Sequence, residues 1–214
     1  NPDGILTYQG QVLNMNGTGT TVSPIPQGDG KTATAQATWN QPAVENKPAH
    51  PFHDKPVTLV YKKDEAGNYI PTTAQYVERK TLKDGTSIPL IYTARVTQAE
   101  DGACSLGQEG VSFHSAEDFL AIIEDGADHK ILPGVTSKGL FPLLAWEVVA
   151  EQTIAKEHGQ RVNIQIGLDK DESPIVTLQR SGAQGHAVQT RIWGADKEKP
   201  GEKFTELYNF QEDL

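Results

Sequence analysis

His50 and His53, followed by Asp54, come closer to a metal site than any other group of residue types in this sequence. Imidazole and carboxylate groups are good ligands for divalent metals, but the zinc-protease pattern needs two histidines four residues apart on one helix. Pro51 and Pro56 are incompatible with the interior of such a helix. The pattern therefore favours a solvated loop over a metal site, and we expect neither a metal ion nor a cofactor.

Two other segments imitate ligand-binding loops. Asp169, Asp171 and Ser173 have the alternate spacing of a calcium loop, but the glycine required for its sharp turn is missing. Residues 28–32 resemble the end of a phosphate loop, but Ile25 stands where the first glycine belongs. We expect ordinary polar turns at both places.

Cys104 is the single cysteine of the chain, so an intramolecular disulfide is impossible. His114 follows it ten residues later, but two residues do not make an activated nucleophile, which also needs an orienting third group. We expect a buried or inert thiol. No paired carboxylates, catalytic triad or cofactor loop stands out, so we identify no catalytic residue and expect that the protein is not an enzyme.

Polar and aromatic residues around a predicted helix form the candidate ligand-binding site. Ser115 fits an N-cap, apolar residues then follow at helical spacing, and Gly126 is a natural stop, which predicts a helix over 116–125. Polar groups beside aromatic rings suit the recognition of sugar hydroxyls. The candidate residues are Phe113, His114, Glu117, Asp118 and Trp146. The alternative for Phe113 and Trp146 is the core, and we interpret the acidic residues that follow as an exposed face.

The elements that must position these residues are mostly strands. In residues 86–97 the side chains of Ile88, Leu90, Tyr92, Ala94 and Val96 fall on every second position, the period of a strand on a core. Similar patterns predict strands at 5–13, 32–39, 57–61, 74–82, 161–168, 174–180 and 186–193. Residues 140–155 fit either a helix or a strand, because Pro142 could open a helix at its first turn or mark a buried edge strand.

The length, charge and hydropathy of the chain limit its domain organisation and the classes of function that it can have. We expect the 214 residues to form a single domain over 1–214, with a helical insertion around 113–155 and a polar C-terminal tail at 194–214. The net charge of −9 argues against binding nucleic acid through phosphate neutralisation. No apolar run approaches the ~20 residues that span a bilayer. The sequence thus predicts a mainly β protein that binds or assembles.

The order of these elements resembles that of a known family. Residues 4–12, Gly-Ile-Leu-Thr-Tyr-Gln-Gly-Gln-Val, resemble the first core strand of chaperone–usher fimbrial subunits, and residues 83–96 are similar to later strands of those pilins. The helical piece Ser115–Gly126 resembles the insertion of the larger, adhesive subunits of the enteric K-antigen type. The resemblance covers about the first 125 residues, and residues 204–214 depart from the alternating final strand of the family.

The resemblance implies an immunoglobulin-like antiparallel β-sandwich with one or two short inserted helices, completed by a strand donated by the next subunit. It implies export to the periplasm and then to the cell surface as part of a fimbrium. The implied partners are neighbouring fibre subunits, a periplasmic chaperone and an outer-membrane usher, with host carbohydrate as a further ligand in cell adhesion.

Two rival functions stay open. A phage or viral structural protein, such as a tail or head component, would use the same strand content. A nucleic-acid-binding barrel would need exposed aromatic residues alternating with Lys or Arg on one sheet face. The stretch from residue 180 to residue 193 offers only Arg180, Arg191 and Trp193 for that purpose.

Overall fold

A computed structural model of the chain describes residues 7–8, 11–12, 24–98, 100, 104–199 and 203–212, with the side chains of 7–8, 11–12 and 141–146 left out. Strands make up 52% of the structure, and they form a large antiparallel sheet with few helices. The prediction of a mainly β, antiparallel fold with inserted helices is confirmed, and the sheet is consistent with a sandwich-like fold.

The strands are β1 (Thr7–Tyr8), β2 (Gln11–Val12), β3 (Ile25–Pro26), β4 (Thr32–Thr38), β5 (Pro56–Lys63), β6 (Tyr69–Thr81), β7 (Ser87–Gln98), β8 (Cys104–Phe113), β9 (Lys130–Leu132), β10 (Val135–Thr136), β11 (Arg161–Leu168), β12 (Pro174–Ser181), β13 (Ala187–Ala195) and β14 (Phe204–Gln211). The helices are α1 (Ala116–Glu124) and α2 (Ser137–Glu157). One 10-stranded sheet has the order β14-β13-β12-β11-β8-β7-β6-β5-β4-β3, and β1–β2 and β9–β10 are separate pairs. Both helices therefore lie in the one connection, from β8 to β11, where sheet neighbours are not successive strands.

The chain divides into two compact units. The first contains residues 1–76 and 93–109, and the second contains 77–92 and 110–214. The boundaries fall inside β6, β7 and β8, so these three strands contribute residues to both units. The prediction of a single domain over 1–214 stays a prediction.

Two sequence-based element predictions need correction, those at 5–13 and at 194–214. Of the strand predicted at 5–13, the described residues form the β1–β2 pair, outside the large sheet, and the others lie outside the description. The predicted polar tail at 194–214 contains β14. Cys104 begins strand β8, and its thiol is buried, as the sequence predicts, so its pKa is raised by burial. Residues 140–155, which the sequence left open between helix and strand, lie in α2. The helix begins at Ser137, so Pro142 lies beyond its first turn.

The segment around His50 is a loop with mostly exposed residues, as the sequence predicts, but backbone groups bind both ring nitrogens of that half-buried histidine. His50 Nε2 donates to the carbonyl oxygen of Gly107 at 2.8 Å, and His50 Nδ1 accepts from the backbone N–H of Phe52 at 3.0 Å. These two bonds require a neutral imidazole, since a protonated Nδ1 cannot accept. Phe52 itself is fully buried. Within the first unit, the histidine therefore helps to hold the segment before β5 against Gly107 of β8.

We predict that this histidine makes the folded state less stable in acid. Burial lowers the pKa of His50, although the bond to Gly107 opposes the shift. The unfolded chain therefore binds more protons, and the contribution of His50 is present above its unfolded pKa of about 6.5 and is lost as the pH falls through the folded value. Urea denaturation of the native chain and of His50→Gln between pH 8 and pH 5 measures this. The stability difference between the two proteins should shrink on acidification, and an unchanged difference would contradict the assignment.

Candidate functional site

One face of α2 lies over strands β12–β14 of the second unit. Glu147, Glu151, Ile154 and His158 follow one another at intervals of four, three and four residues, which places them on the same side of the helix. The helix stops because Gly159 adopts a positive φ of 66°, and the N–H of the next residue bonds back to the Ala155 carbonyl at 2.8 Å. This turn brings Gln160 next to the sheet.

Glu151 is the centre of a buried ion network. Its Oε2 accepts from Arg180 Nε at 3.3 Å, and its Oε1 accepts from Arg191 Nη1 at 3.2 Å. The side chains of Glu151 and Arg180 are 8% and 6% exposed. Arg191 also binds Glu147 at 2.8 Å and Glu206 on β14. Charges removed from water are stable only when paired, and here each carboxylate oxygen of Glu151 serves a different guanidinium.

The network carries one more carboxylate than guanidinium groups. Burial would lower the pKa of Arg191 and raise that of Glu206, but their mutual hydrogen bonds and charges outweigh burial, so the first pKa is raised and the second lowered. The guanidinium carbon of Arg191 also lies 4.6 Å from the centre of the Trp193 ring, a cation–π contact. Arg191 and Glu206 therefore both keep their charges near neutrality.

Side-chain amides extend the network in one direction. Arg180 donates to the Oε1 atoms of Gln160 and Gln189. Because its oxygen is used in this way, Gln189 turns its Nε2 group toward Asn209 Oδ1, and Asn209 in turn donates to Glu206. The orientation of each amide thus follows from a charged neighbour, which preorganises the surface above them.

A cavity of about 390 Å³ opens beside this network. We call it the α2 pocket, and its lining residues are Glu151, Ile154, His158, Gln160, Arg180, Gln189, Asn209 and Gln211. The lining contains neither a serine nor a cysteine nucleophile. Its carboxylate is already paired with two guanidinium groups. The chemistry of the α2 pocket is therefore that of hydrogen-bonded recognition.

The second notable feature is the edge strand β14, which ends the large sheet. Its side chains Leu207, Tyr208 and Phe210 are 59%, 49% and 51% exposed. The rings of Tyr208 and Phe210 stack with centroids 6.5 Å apart. Leu207 extends over Gly194, where a Cβ atom would lie 2.9 Å from its Cδ1. Large apolar groups are thus concentrated at an edge of the sheet.

The two faces of β14 differ. Asn209 is opposite Arg191 and Gln211 is opposite Gln189 in the pairing with β13, so both point toward α2. Tyr208 is opposite Ile192, and side chains on successive residues of a strand point to opposite faces, so the aromatic pair lies on the face away from the helix. The pocket and the apolar edge therefore use different sides of one strand.

The residues predicted to bind a ligand do not form one surface. Phe113 is 1% exposed and packs edge-to-face on Phe119, with ring centroids 5.1 Å apart. It belongs to the core, which corrects its proposed role in ligand binding. His114 and Glu117 are exposed and Asp118 is half-buried. Trp146 lies in α2, and its side chain is outside the described part of the structure.

Among the acidic residues at the end of α1 and after it, Glu124 and Asp128 are exposed, as the sequence predicts, whereas Asp125 is half-buried. Asp125 accepts from the Lys83 backbone N–H at 2.9 Å and from His129 Nε2 at 2.8 Å. Asp128 accepts from the Lys138 backbone N–H at 3.0 Å. These backbone bonds lower the pKa values of both carboxyl groups. Both residues act as structural caps that join α1 to its neighbours.

The described residues contain no cluster of three or more His, Cys, Asp or Glu side chains that could hold a metal ion. The turn at Asp169, which the sequence assigned to a polar hairpin, uses its Oδ1 to accept from the N–H groups of Asp171 and Ser173 at 2.8 and 2.9 Å. Within the residues that the structure describes, neither helix has the length and apolar character needed to cross a membrane.

The fold defines an antiparallel β protein with an inserted helical pair, and comparisons with known proteins add little. No family model and no curated protein matches the sequence. Among solved structures, the chain is similar to a protein of unknown function from Bacteroides fragilis, with 5% identity over 86% of this chain and 94% of that one. The TM-score is 0.28, too low to support an argument about function.

Proposed function

We propose that this chain is a non-catalytic structural subunit of an exported surface fibre, and that it assembles by adding a strand of a neighbouring subunit to β14. The observation that carries the proposal is the concentration of three exposed large apolar side chains, Leu207, Tyr208 and Phe210, on the edge strand of the sheet. An edge of this kind is a template for another strand unless it is protected.

The two edge strands of the sheet differ in how well they are protected against pairing with another strand. At one end, β3 has only two residues and contains Pro26, a short and proline-bearing edge that resists pairing. At the other end, β14 has eight residues and no proline or lysine. Its one charged side chain, Glu206, is held by Arg191 on the neighbouring strand. Protection at one edge and accessibility at the other support directional addition at β14.

In the fimbrial family that the sequence resembles, the added strand comes from the N-terminal extension of the next subunit, after a periplasmic chaperone and an outer-membrane usher have delivered it. The proposal carries these partners and the cell-surface location with it, and host carbohydrate as a ligand of the assembled fibre. The phage or viral alternative and the nucleic-acid barrel are supported by strand content alone, whereas β14 gives strand addition a specific place.

We predict that a synthetic peptide of alternating valine and threonine stabilises the full chain. At a peptide concentration 100 times its Kd, binding to the folded state adds about 2.7 kcal/mol to the free energy of unfolding. For a chain of this size, that corresponds to a rise of roughly 5–10 °C in Tm. Differential scanning fluorimetry measures the shift, and a peptide with proline at alternate positions, which cannot form the ladder, is the control peptide.

The matched variants are Tyr208→Lys with Phe210→Lys on the edge strand and Val77→Lys on β6. Val77 is also an exposed apolar residue, at 53%, but β6 is not an edge strand, because it lies between β5 and β7 in the sheet. The peptide-induced rise in Tm should disappear in the edge variant and persist in the Val77 variant. Equal rises in both variants, or no rise in the native chain, would exclude strand addition at β14.

A further inference from the structure

The two oppositely charged side chains that line the α2 pocket, Arg180 and Glu151, are paired with each other, so their charges cancel. The network behind them carries a net charge of −1, counting Glu147, Glu151 and Glu206 against Arg180 and Arg191. An anion would be repelled by this surplus, and a cation would meet the Arg180 guanidinium. The pocket is therefore suited to an uncharged polar molecule.

The polar groups of the pocket are amides whose orientation is already fixed. Each primary amide has two N–H donors and an oxygen with two lone pairs. The Gln189 Nε2 group uses one N–H on Asn209, and the Gln160 oxygen accepts one bond from Arg180. Each amide therefore has hydrogen-bonding capacity beyond these contacts. A hydroxyl group both donates and accepts, so two adjacent hydroxyls match the N–H and C=O of one amide.

Ile154 gives the pocket one apolar and exposed wall, beside the polar side chains of His158 and Gln211. Ile154 on α2 is 36% exposed and lines the pocket opposite the sheet. The volume of about 390 Å³ is at the small end of the range of ligand sites, which runs from about 300 to 1,000 Å³. The combination of oriented amides and one aliphatic wall fits a compact molecule with hydroxyls on its rim and C–H groups on its faces.

We propose that the α2 pocket binds a neutral sugar residue through Gln160, Gln189 and Asn209, with Ile154 against its C–H face. This site is separate from the candidate residues around α1 that the sequence suggests. It is also independent of strand addition, because the side chains that would flank an added strand on the opposite face, Tyr208 and Phe210, do not line it.

The test uses the full chain labelled with ¹⁵N and a panel of neutral sugars: glucose, galactose, mannose, N-acetylglucosamine and lactose. Side-chain amide signals in NMR spectra are followed while each sugar is added at millimolar concentrations. We expect at least one sugar to shift the amide signals of Gln160, Gln189 and Asn209 in a saturable manner. If no sugar of the panel shifts these signals, the proposal is overturned.

Two pocket variants and one control sharpen the result. Ile154→Trp fills the pocket without removing any polar group, and it should abolish binding. Gln160→Leu removes one amide, and it should weaken binding by about two- to tenfold, the loss of one hydrogen bond. Gln179→Leu removes an exposed glutamine from the opposite face of β12, and it should bind as the native chain does. Undiminished binding by Ile154→Trp would overturn the site.

Failure of this proposal and failure of strand addition are distinguishable. The Ile154→Trp variant should retain the peptide-induced rise in Tm, which also shows that it is folded. The Tyr208→Lys and Phe210→Lys variant should retain sugar binding. Loss of sugar binding in that edge variant, with its amide signals otherwise unchanged, would contradict the assignment of the ligand to the α2 pocket.

Discussion

Replacing Glu151 with glutamine should lower the free energy of unfolding by about 3–5 kcal/mol, the cost of breaking a buried ion pair from one side. The two carboxylate oxygens of Glu151 accept from two different guanidinium groups. The glutamine amide is nearly the same shape, but it must turn its NH₂ group toward one of them. Either Arg180 or Arg191 then faces a donor while remaining buried. Urea denaturation of both proteins at neutral pH measures the loss.

The control for this substitution is Glu117→Gln in α1. Glu117 pairs with Lys156 at 3.4 Å, but the two side chains are 67% and 68% exposed. An exposed pair of this kind contributes about 0–1 kcal/mol, so the control should lie close to the native chain. Equal losses in the two variants would show that Glu151 is no more important than a surface carboxylate.

A double variant tests the cause of the loss. Glu151→Leu combined with Arg180→Met removes both partners of the most buried pair and fills the space with apolar groups. Arg191 keeps Glu147 and Glu206 as partners. The double variant should be more stable than Glu151→Gln, because the penalty arises from an unpaired buried charge. A larger loss in the double variant would mean that packing, and not charge, dominates at this site.

The sequence predicts the regular strands well because their burial alternates without interruption. Residues 161–168 form β11 with the predicted bounds, and their even-numbered side chains from Val162 to Ile166 are buried. In β7 the even-numbered side chains from Ile88 to Val96 are buried in the same way. The helix predicted over 116–125 corresponds to α1, with Ser115 as its N-cap. In each case one local pattern and one tertiary environment agree.

Among the strands that the sequence does not predict, the two long ones, β8 and β14, escaped prediction for different physical reasons. In β8 the buried positions are Cys104 and Leu106, then Glu109, Val111 and Phe113, so the period slips by one residue at two adjacent exposed positions. A search for strict alternation finds only half a strand on each side of the slip. In β14 no side chain is buried, because an edge strand is held mainly by its ladder of backbone bonds to β13. A pattern of side-chain types does not indicate backbone hydrogen bonds of this kind.

The α2 pocket was missed because its parts are distant in the sequence. Glu151 and Arg180 are 29 residues apart, and no local spacing joins them. One signal was present. Val176, Leu178 and Arg180 alternate on one face of β12, so the arginine falls at a core-facing position. A charge on the buried face of a strand requires a buried partner of opposite charge, and Glu147 and Glu151 on the preceding helix supply carboxylates one helical turn apart.

Replacing Phe113 with alanine should lower the free energy of unfolding by about 3–5 kcal/mol, as expected for a phenylalanine removed from a close-packed core. Phe113 ends β8, and its ring meets Phe119 of α1 at an interplanar angle of 83°. The edge-to-face pair is the contact through which this residue holds α1 to the strand, so the substitution also leaves a cavity under the helix. Chemical denaturation measures the loss.

The neighbouring residue provides the matched control. His114 is exposed, so His114→Ala should change the stability by no more than about 0.5 kcal/mol. The two adjacent positions separate packing from recognition, because the sequence assigns both to a ligand surface whereas the structure assigns only His114 to the exterior. If Phe113→Ala kept the native stability and instead weakened sugar binding, the aromatic ring would belong to a ligand site after all, and the α2 pocket would lose its place as the sugar-binding site.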